Sequence, residues 1–246
     1  DGRVHAQNVR SLWRMNRNPN GGHTCSICGL DGKGVDVNRN FDFLWNSGIH
    51  TSTDPCHCDQ IYKGTSPFSE PDSRNIRSIL DNSLIDSMVD VHSYRESVLY
   101  PWQIDENQTT DINMNFRNPA YDGRRGYRND TYKEYIPQTD LNRYVALAKG
   151  VRDAINAVKG GQYKSEQGVM LYPASATSMD YAYSRKFVDP SKRKVMALAL
   201  ETGKAFNPIY PENGQPAPTD GKWGITKEIS AGLIQFLSQR LTLWPI

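Results

Sequence analysis

Val195-Met196-Ala197-Leu198-Ala199-Leu200-Glu201-Thr202-Gly203 is the stretch that decides the fold. Its apolar run, Val195 to Leu200, is brief and bounded by polar residues, the signature of a buried strand. Ile85 to Val91 reads the same way, and Ser97 to Tyr100 is a third β-rich segment. Helical spacing alternates with these runs. Ser69-Glu70-Pro71 opens an apolar pattern at Ile76, Ile79 and Leu80, which predicts a surface helix over 69–82 with Pro in the first turn, where its missing N–H costs nothing. Asp140 is expected to cap a longer helix through Leu141, Tyr144, Val145, Ala148, Val151, Ile155 and Val158, closed by Gly160 and Gly161. A third helix is expected over about 225–241, with Ile229, Leu233, Phe236 and Leu237 on one face. Strands intermixed with helices make the class α/β. Ligands of such open sheets gather beyond the carboxyl ends of the strands, and those ends carry His92 and Glu201.

At 246 residues the chain can bury a large core. Its 19 Gly and 14 Pro reach about half the level of a low-complexity chain. No repeat, charge block or linker divides it, so residues 1–246 read as one domain. The 29 basic and 27 acidic side chains are interspersed, with a formal charge of +2, and leave no footprint for a nucleic-acid partner. No apolar run approaches the roughly 20 residues that cross a bilayer, so no membrane contact is expected. Asp1 has no basic or apolar leader behind it, as expected of a mature product or a fragment. Residues 103–137, rich in Asn, Asp, Arg and Tyr, form a long irregular excursion expected to rim a functional site or to move.

Cys25, Cys28, Cys56 and Cys58 cluster in the first quarter of the chain, and Asn107-Gln108-Thr109 and Asn129-Asp130-Thr131 fit the N-glycosylation pattern. Two disulfides in a secreted or extracellular protein are expected, with the pairing open. The rival, a four-thiolate zinc site, suffers from the single residue between Cys56 and Cys58, where such sites usually show two to four.

Several side chains could carry chemistry. His92 and Glu201 end apolar strands, where a polar group must be hydrogen-bonded or used; alone, His92 could be structural and Glu201 could neutralise Lys204. Asn38 and Arg39 place an amide beside a planar guanidinium fork suited to a carboxylate. Arg14 follows Trp13 and could equally lie over its ring. Tyr172, held extended by Pro173, precedes Ser178-Met179-Asp180-Tyr181.

In this order and at these separations the clusters resemble the zinc metallocarboxypeptidases of the pancreatic carboxypeptidase A type. The stretches that carry the resemblance are Leu12-Trp13-Arg14, Gly34-Val35-Asp36-Val37-Asn38-Arg39-Asn40-Phe41, Tyr62-Lys63-Gly64 with Pro67-Phe68-Ser69-Glu70-Pro71, His92-Ser93-Tyr94 with Leu99-Tyr100-Pro101, Tyr172-Pro173-Ala174-Ser175, and Leu200-Glu201-Thr202-Gly203. The resemblance implies a mixed, open, twisted sheet with helices on both faces and the N-terminal strands and helices missing. It implies zinc as cofactor, His92 as a metal ligand, Glu201 as the general base and Arg14 as the group that stabilises an oxyanion. Asn38 and Arg39 would grip the C-terminal carboxylate of a peptide or protein substrate, Tyr172 would close over it, and Ser93 and Tyr94 would complete the binding stretch. Met179 would floor the specificity pocket and favour a hydrophobic or aromatic last residue. Asp180 matches an acidic position common to different specificities, and Asp90, two residues before His92, would either reach the pocket or orient a neighbour. One disulfide would be shared with the family and a second would be an addition.

The chain departs from the pattern at its start. The family's first two zinc ligands lie on a His-x-x-Glu element, and none of His5, His23, His50, His57 and His92 has Glu three residues later. One histidine cannot hold a catalytic zinc, which needs three protein ligands. The expectation is therefore an N-terminal fragment of the same precursor that supplies the missing His and Glu. The alternatives are an inactive protein that binds C-terminal carboxylates, and a scaffold whose cysteines hold a structural ion.

Overall fold

A computed structural model describes residues 13–18, 34–56, 58–159, 162–206 and 222–243. Its strands are β1 (Ser87–His92), β2 (Ser97–Tyr100), β3 (Asn107–Gln108), β4 (Glu134–Tyr135), β5 (Lys164–Gln167) and β6 (Met196–Glu201); its α-helices are α1 (Pro71–Asn82), α2 (Gln138–Lys159), α3 (Ser178–Val188) and α4 (Lys222–Leu243). Four strands form one sheet in the order β1-β6-β2-β5, and β3 and β4 form a separate two-stranded ladder. β1 runs parallel to β6, β6 antiparallel to β2, and β2 parallel to β5. The sheet is mixed and the class is α/β, as expected. Met196 to Leu200 are all buried, so β6 is covered on both faces, whereas β1 is the edge of the sheet among the described residues and exposes Val91.

Element boundaries depart from the sequence reading for local reasons. Glu70 stays extended as the N-cap, so α1 opens at Pro71. α2 opens two residues before Asp140, because the N–H groups of Asp140 and Leu141 both donate to Pro137 O. Asp140 is thus not a cap: it is buried in the first turn, accepts from Tyr183 Oη at 2.7 Å and pairs with Lys194. β5 and α3 gave no periodic signal. Lys164-Ser165-Glu166-Gln167 contains no apolar side chain, and α3 is buried on all sides from Ser178 to Arg185, so it has no polar face to set a period.

Most of the buried apolar side chains gather in one cluster. Trp102 stacks on Phe43 with ring centroids 5.3 Å apart, and Phe116, Tyr183 and Phe187 surround the pair. Phe116 belongs to the 103–137 excursion, which is anchored by its own buried network. Glu134 accepts from Tyr132 Oη at 2.7 Å and from the Phe116 N–H at 2.6 Å, with Arg125 Nε 4.0 Å away. A second cluster of Trp13, Met15, Val35 and Tyr62 places the Arg14 segment beside Asp36, while Arg17 is the cation over the Trp13 ring. Gly34 is required there: at φ +148° a Cβ would strike the Asn16 carbonyl.

Cys58 is disulfide-bonded, whereas Cys25 and Cys28 lie outside the described residues. Of the two glycosylation triplets, Asn107 spends its amide inside the fold, donating to Pro101 O at 3.0 Å, while Asn129 is exposed. No described helix is long and apolar enough to cross a membrane.

Two predictions follow from buried carboxyl groups. Burial pushes the Glu134 carboxyl up to about 8, against the hydroxyl, amide and guanidinium that favour its charge. The unfolded chain releases this proton near pH 4 and the folded chain only near 8, so the contribution of Glu134 to stability falls as pH rises through that window. Glu134→Gln should flatten that part of the profile in thermal melts between pH 4 and 8. Asp180, wholly buried, accepts the N–H groups of Gln103 and Ile104. Asp180→Ala leaves both amides unpaired and should cost about 2–3 kcal/mol in denaturant unfolding, with Asp180→Asn costing less because it keeps one acceptor oxygen.

Candidate active site

The parallel register of β1 on β6 makes His92 and Glu201 Cα partners at the carboxyl end of the sheet. Residues two apart share a strand face, so Asp90 and His92 on β1 and Ala199 and Glu201 on β6 project together. Alanines at 197 and 199 keep that face low. The space above it, closed by segments 36–41 and 171–179, is a cavity of about 880 Å³.

Eight of the nine residues expected at a site line this cavity: Arg14, Asn38, His92, Ser93, Tyr94, Tyr172, Met179 and Glu201. The ninth, Arg39, stands behind them at 1% exposure. It donates through Nε to His50 O (2.9 Å), through Nη1 to Asn38 O (2.7 Å) and through Nη2 to Tyr172 Oη (3.3 Å). Met179 is buried as a floor, and its neighbour Asp180 points away to the backbone at 103–104, a structural role. Ser93 Oγ donates to Phe206 O at 2.6 Å, and Tyr94 is half exposed at the rim. Of the 103–137 excursion, Gln103 alone touches the cavity, so the expectation that this excursion rims the site is corrected: its aromatic anchor ties it to the core instead.

The sequence reading passed over Asp36 and His50, left Asp90 between two roles, reaching the pocket or orienting a neighbour, and gave Ser178 none. Asp36 caps a short 3-10 turn, Val37–Arg39, accepting the Asn38 N–H at 3.2 Å, and pairs with Arg14 Nη2 at 2.8 Å. Asp36 holds the Arg14 guanidinium charged against the cost of burial. His50 packs at a tilt against Tyr172 with ring centroids 4.3 Å apart; burial and the charges of Arg39 and Arg14 push it down to about 4, so it adds no third cation at neutral pH. The signal for Asp36 was an Asp two residues before Asn38, an ordinary cap spacing. His50 left none.

Three carboxylates line the cavity and only one is free to react. Asp36 is committed to Arg14, and Asp90 to His92 at 3.0 Å and to Ser178 Oγ. Glu201 accepts no hydrogen bond from the described residues. Burial raises it above the ordinary carboxylate range, while His92 and Arg14 pull it back. Lys204, a possible neutraliser, lies near Glu96 instead. The cavity thus joins an unengaged carboxylate, one imidazole, a fixed guanidinium and an amide at a sheet's carboxyl end.

Comparison with known proteins agrees with this geometry. The family profile described as zinc carboxypeptidase matches residues 1–215. A carboxypeptidase B of Helicoverpa zea is 41% identical over 104 residues, 42% of this chain and 23% of that protein. A carboxypeptidase B of Astacus astacus is 30% identical over 222 residues, 89% of this chain and 59% of that protein. The crystal structure of carboxypeptidase A from Helicoverpa armigera superposes with a TM-score of 0.61 at 20% identity, over 97% of this chain and 49% of that one, and so shares the fold. The chain spans less than two thirds of the length of these curated relatives. With a sheet that carries His92 beside Glu201, and with a profile match over most of its length, the chain belongs to the zinc carboxypeptidase family.

Proposed function

We propose that this chain is the C-terminal portion of the catalytic domain of a secreted zinc-dependent exopeptidase that removes one residue from the C-terminus of a peptide or protein. The observation that carries this reading is Glu201: a partly desolvated carboxylate, with no hydrogen bond from the described residues, across the register from an imidazole. A protein that only bound carboxylates would have no use for it.

The described residues do not complete a zinc site. No group of three metal-ligating side chains occurs among them, and His92 offers one donor of the three required. His92 suits that single place, because its Nε2 faces Asp90 and leaves the other ring nitrogen for a metal. The missing His and Glu would come from an N-terminal section of the same precursor. The edge of β1, with Val91 exposed and with Ile79 and Leu84 exposed in the preceding segment, supports docking of further polypeptide there. When bound, zinc supplies Lewis acidity that acidifies water and polarises a carbonyl.

The chain's own residues supply the other functions. Glu201 takes the proton of the attacking water and later passes it to the leaving amine. Arg14, locked by Asp36, presents its charge to the oxyanion. Asn38 and Arg39 receive the terminal carboxylate, which would displace the Tyr172 hydroxyl from Arg39 Nη2 and let Tyr172 settle over the substrate. Met179 and Leu99 in the cavity wall favour an apolar last side chain. A disulfide at Cys58, together with an exposed Asn129 triplet, suits an extracellular protein.

In the full-length protein, Glu201→Gln should lower kcat by about 10²–10⁴-fold while zinc content and peptide binding persist. His92→Ala should lose zinc, and Arg14→Ala should cost about 10²–10³ in kcat. Hydrolysis of peptides with apolar or other C-terminal residues, followed by mass spectrometry, reads all three variants. Retained turnover in Glu201→Gln rejects the assigned base; tight peptide binding without turnover in the unmodified protein identifies an inactive carboxylate binder.

A further inference from the structure

Asn38, His92, Asp90 and Ser178 close a ring of contacts in the wall of the cavity. The Ser178 N–H donates to Asn38 Oδ1 at 2.8 Å, and the Ser178 hydroxyl donates to Asp90 Oδ2. Asp90 Oδ2 lies 3.0 Å from His92 Nε2, and that nitrogen lies 3.3 Å from Asn38 Nδ2. The ring can be solved for its protons. Because Asn38 Oδ1 receives the Ser178 amide, the Asn38 NH₂ must face the imidazole. His92 Nε2 therefore has a donor on one side and a carboxylate on the other. A bare lone pair on Nε2 would face an ionised oxygen at hydrogen-bond distance, which is repulsive. A proton on Nε2 meets that oxygen as a charge-assisted hydrogen bond, the shorter and stronger of the two contacts.

We propose that Asp90 is a positioning residue, accepting the His92 Nε2–H and so fixing the tautomer in which Nδ1 holds the ring's one lone pair, the nitrogen offered to zinc. This inference rests on the reading of His92 as a zinc ligand. Metal-ligating histidines commonly give their other N–H to a carboxylate, which sets ring orientation and raises basicity. The same proton has a second effect. With Nε2 occupied by its own hydrogen, the Asn38 amide donors are not spent on the imidazole and stay available for a substrate carboxylate. Ser178, the first residue of α3, ties Asp90 to the helix that carries Met179, so the orientation of the ligand and the floor of the pocket share one hydrogen-bonded frame.

The competing role for Asp90 is to pair with a basic side chain at the substrate's C-terminus, since it lines the same cavity. Its Oδ2 already takes two donors, from His92 and Ser178, so the contacts present favour the positioning role.

The test uses the full-length protein and its Asp90→Ala, Asp90→Asn and Ser178→Ala variants. Zinc affinity is measured by competition with a chromophoric chelator, and the His92 tautomer by long-range ¹H–¹⁵N spectra of the zinc-free protein. The Nε2–H form should dominate in the unmodified protein. Asp90→Ala should lose that single form and bind zinc about 10–100-fold more weakly. Asp90→Asn, whose oxygen accepts the same N–H, should recover most of both, and Ser178→Ala should show a partial loss with the fold intact. Unchanged tautomer and affinity in Asp90→Ala overturn the proposal, as does a switch of substrate preference from basic to apolar residues at constant zinc affinity. If the unmodified protein binds no zinc, the ligand reading of His92 fails, and the tautomer still decides separately whether Asp90 sets the ring.

Discussion

The pairing register of β1 on β6 is the constraint from which the rest of the site descends. Six consecutive Cα partners, from Ser87–Met196 to His92–Glu201, put an imidazole and a carboxylate at the same level on adjacent parallel strands. A slip of one residue would send every side chain of β1 to the opposite face and separate the two groups. That register is protected by burial. Leu198 and Leu200 alternate with Ala197 and Ala199, so one face of β6 is bulky and packed while the other is low enough to leave a cavity. Exchanging the faces would expose leucine and crowd the site, which makes the chemical arrangement a by-product of the hydrophobic one.

Above the sheet, two loops brace each other rather than resting on the strands separately. Ala176 N–H donates to Phe43 O, Phe41 N–H to Ala176 O, and the Ser178 N–H to Asn38 Oδ1. Arg39 spans the same seam to Tyr172. Groups from positions some 130 residues apart are thereby held within hydrogen-bond reach, with most of the holding done by backbone amides. The Asn38 amide is positioned through its oxygen by the Ser178 main chain, which leaves its NH₂ turned to the cavity wall, whereas Arg39 is held by its own donors to His50 O, Asn38 O and Tyr172 Oη.

Much of this was legible in the sequence, and the limits of that legibility are physical. Short apolar runs ending in His92 and Glu201 named the strands and the end of the sheet where the cavity lies; for β6 burial on both faces leaves that continuous apolar signature, whereas β1, expected to be buried, is a partly exposed edge strand. β5 went unread because an edge strand can be wholly polar, and α3 because a helix buried on every side has no amphipathic period. Among site residues, Arg14, Asn38, Tyr172 and Met179 were found through their company in recognisable clusters. Asp36, His50 and Ser178 act on other side chains across long sequence separations, and nothing local marks such a partner. Asp90 was visible as a same-face neighbour of His92, yet only the positions of Ser178 and Asn38 show which way its carboxylate is engaged.

That engagement explains how one cavity can hold three carboxylates without their roles colliding. Like charges this close would each resist ionisation if left alone. Asp36 is neutralised by Arg14 and spends its other oxygen on a backbone cap; Asp90 is held by an imidazole N–H and a hydroxyl. Both are thus engaged by neighbouring donors. Glu201 differs in having neither a cap nor a hydroxyl donor, and its burial makes it more basic than a solvated carboxylate. The proposed general base has to be a stronger proton acceptor than its neighbours and sterically uncommitted. Among the described residues the fold meets both conditions by partnering the other two acids and leaving Glu201 without a hydrogen bond at the end of a buried strand.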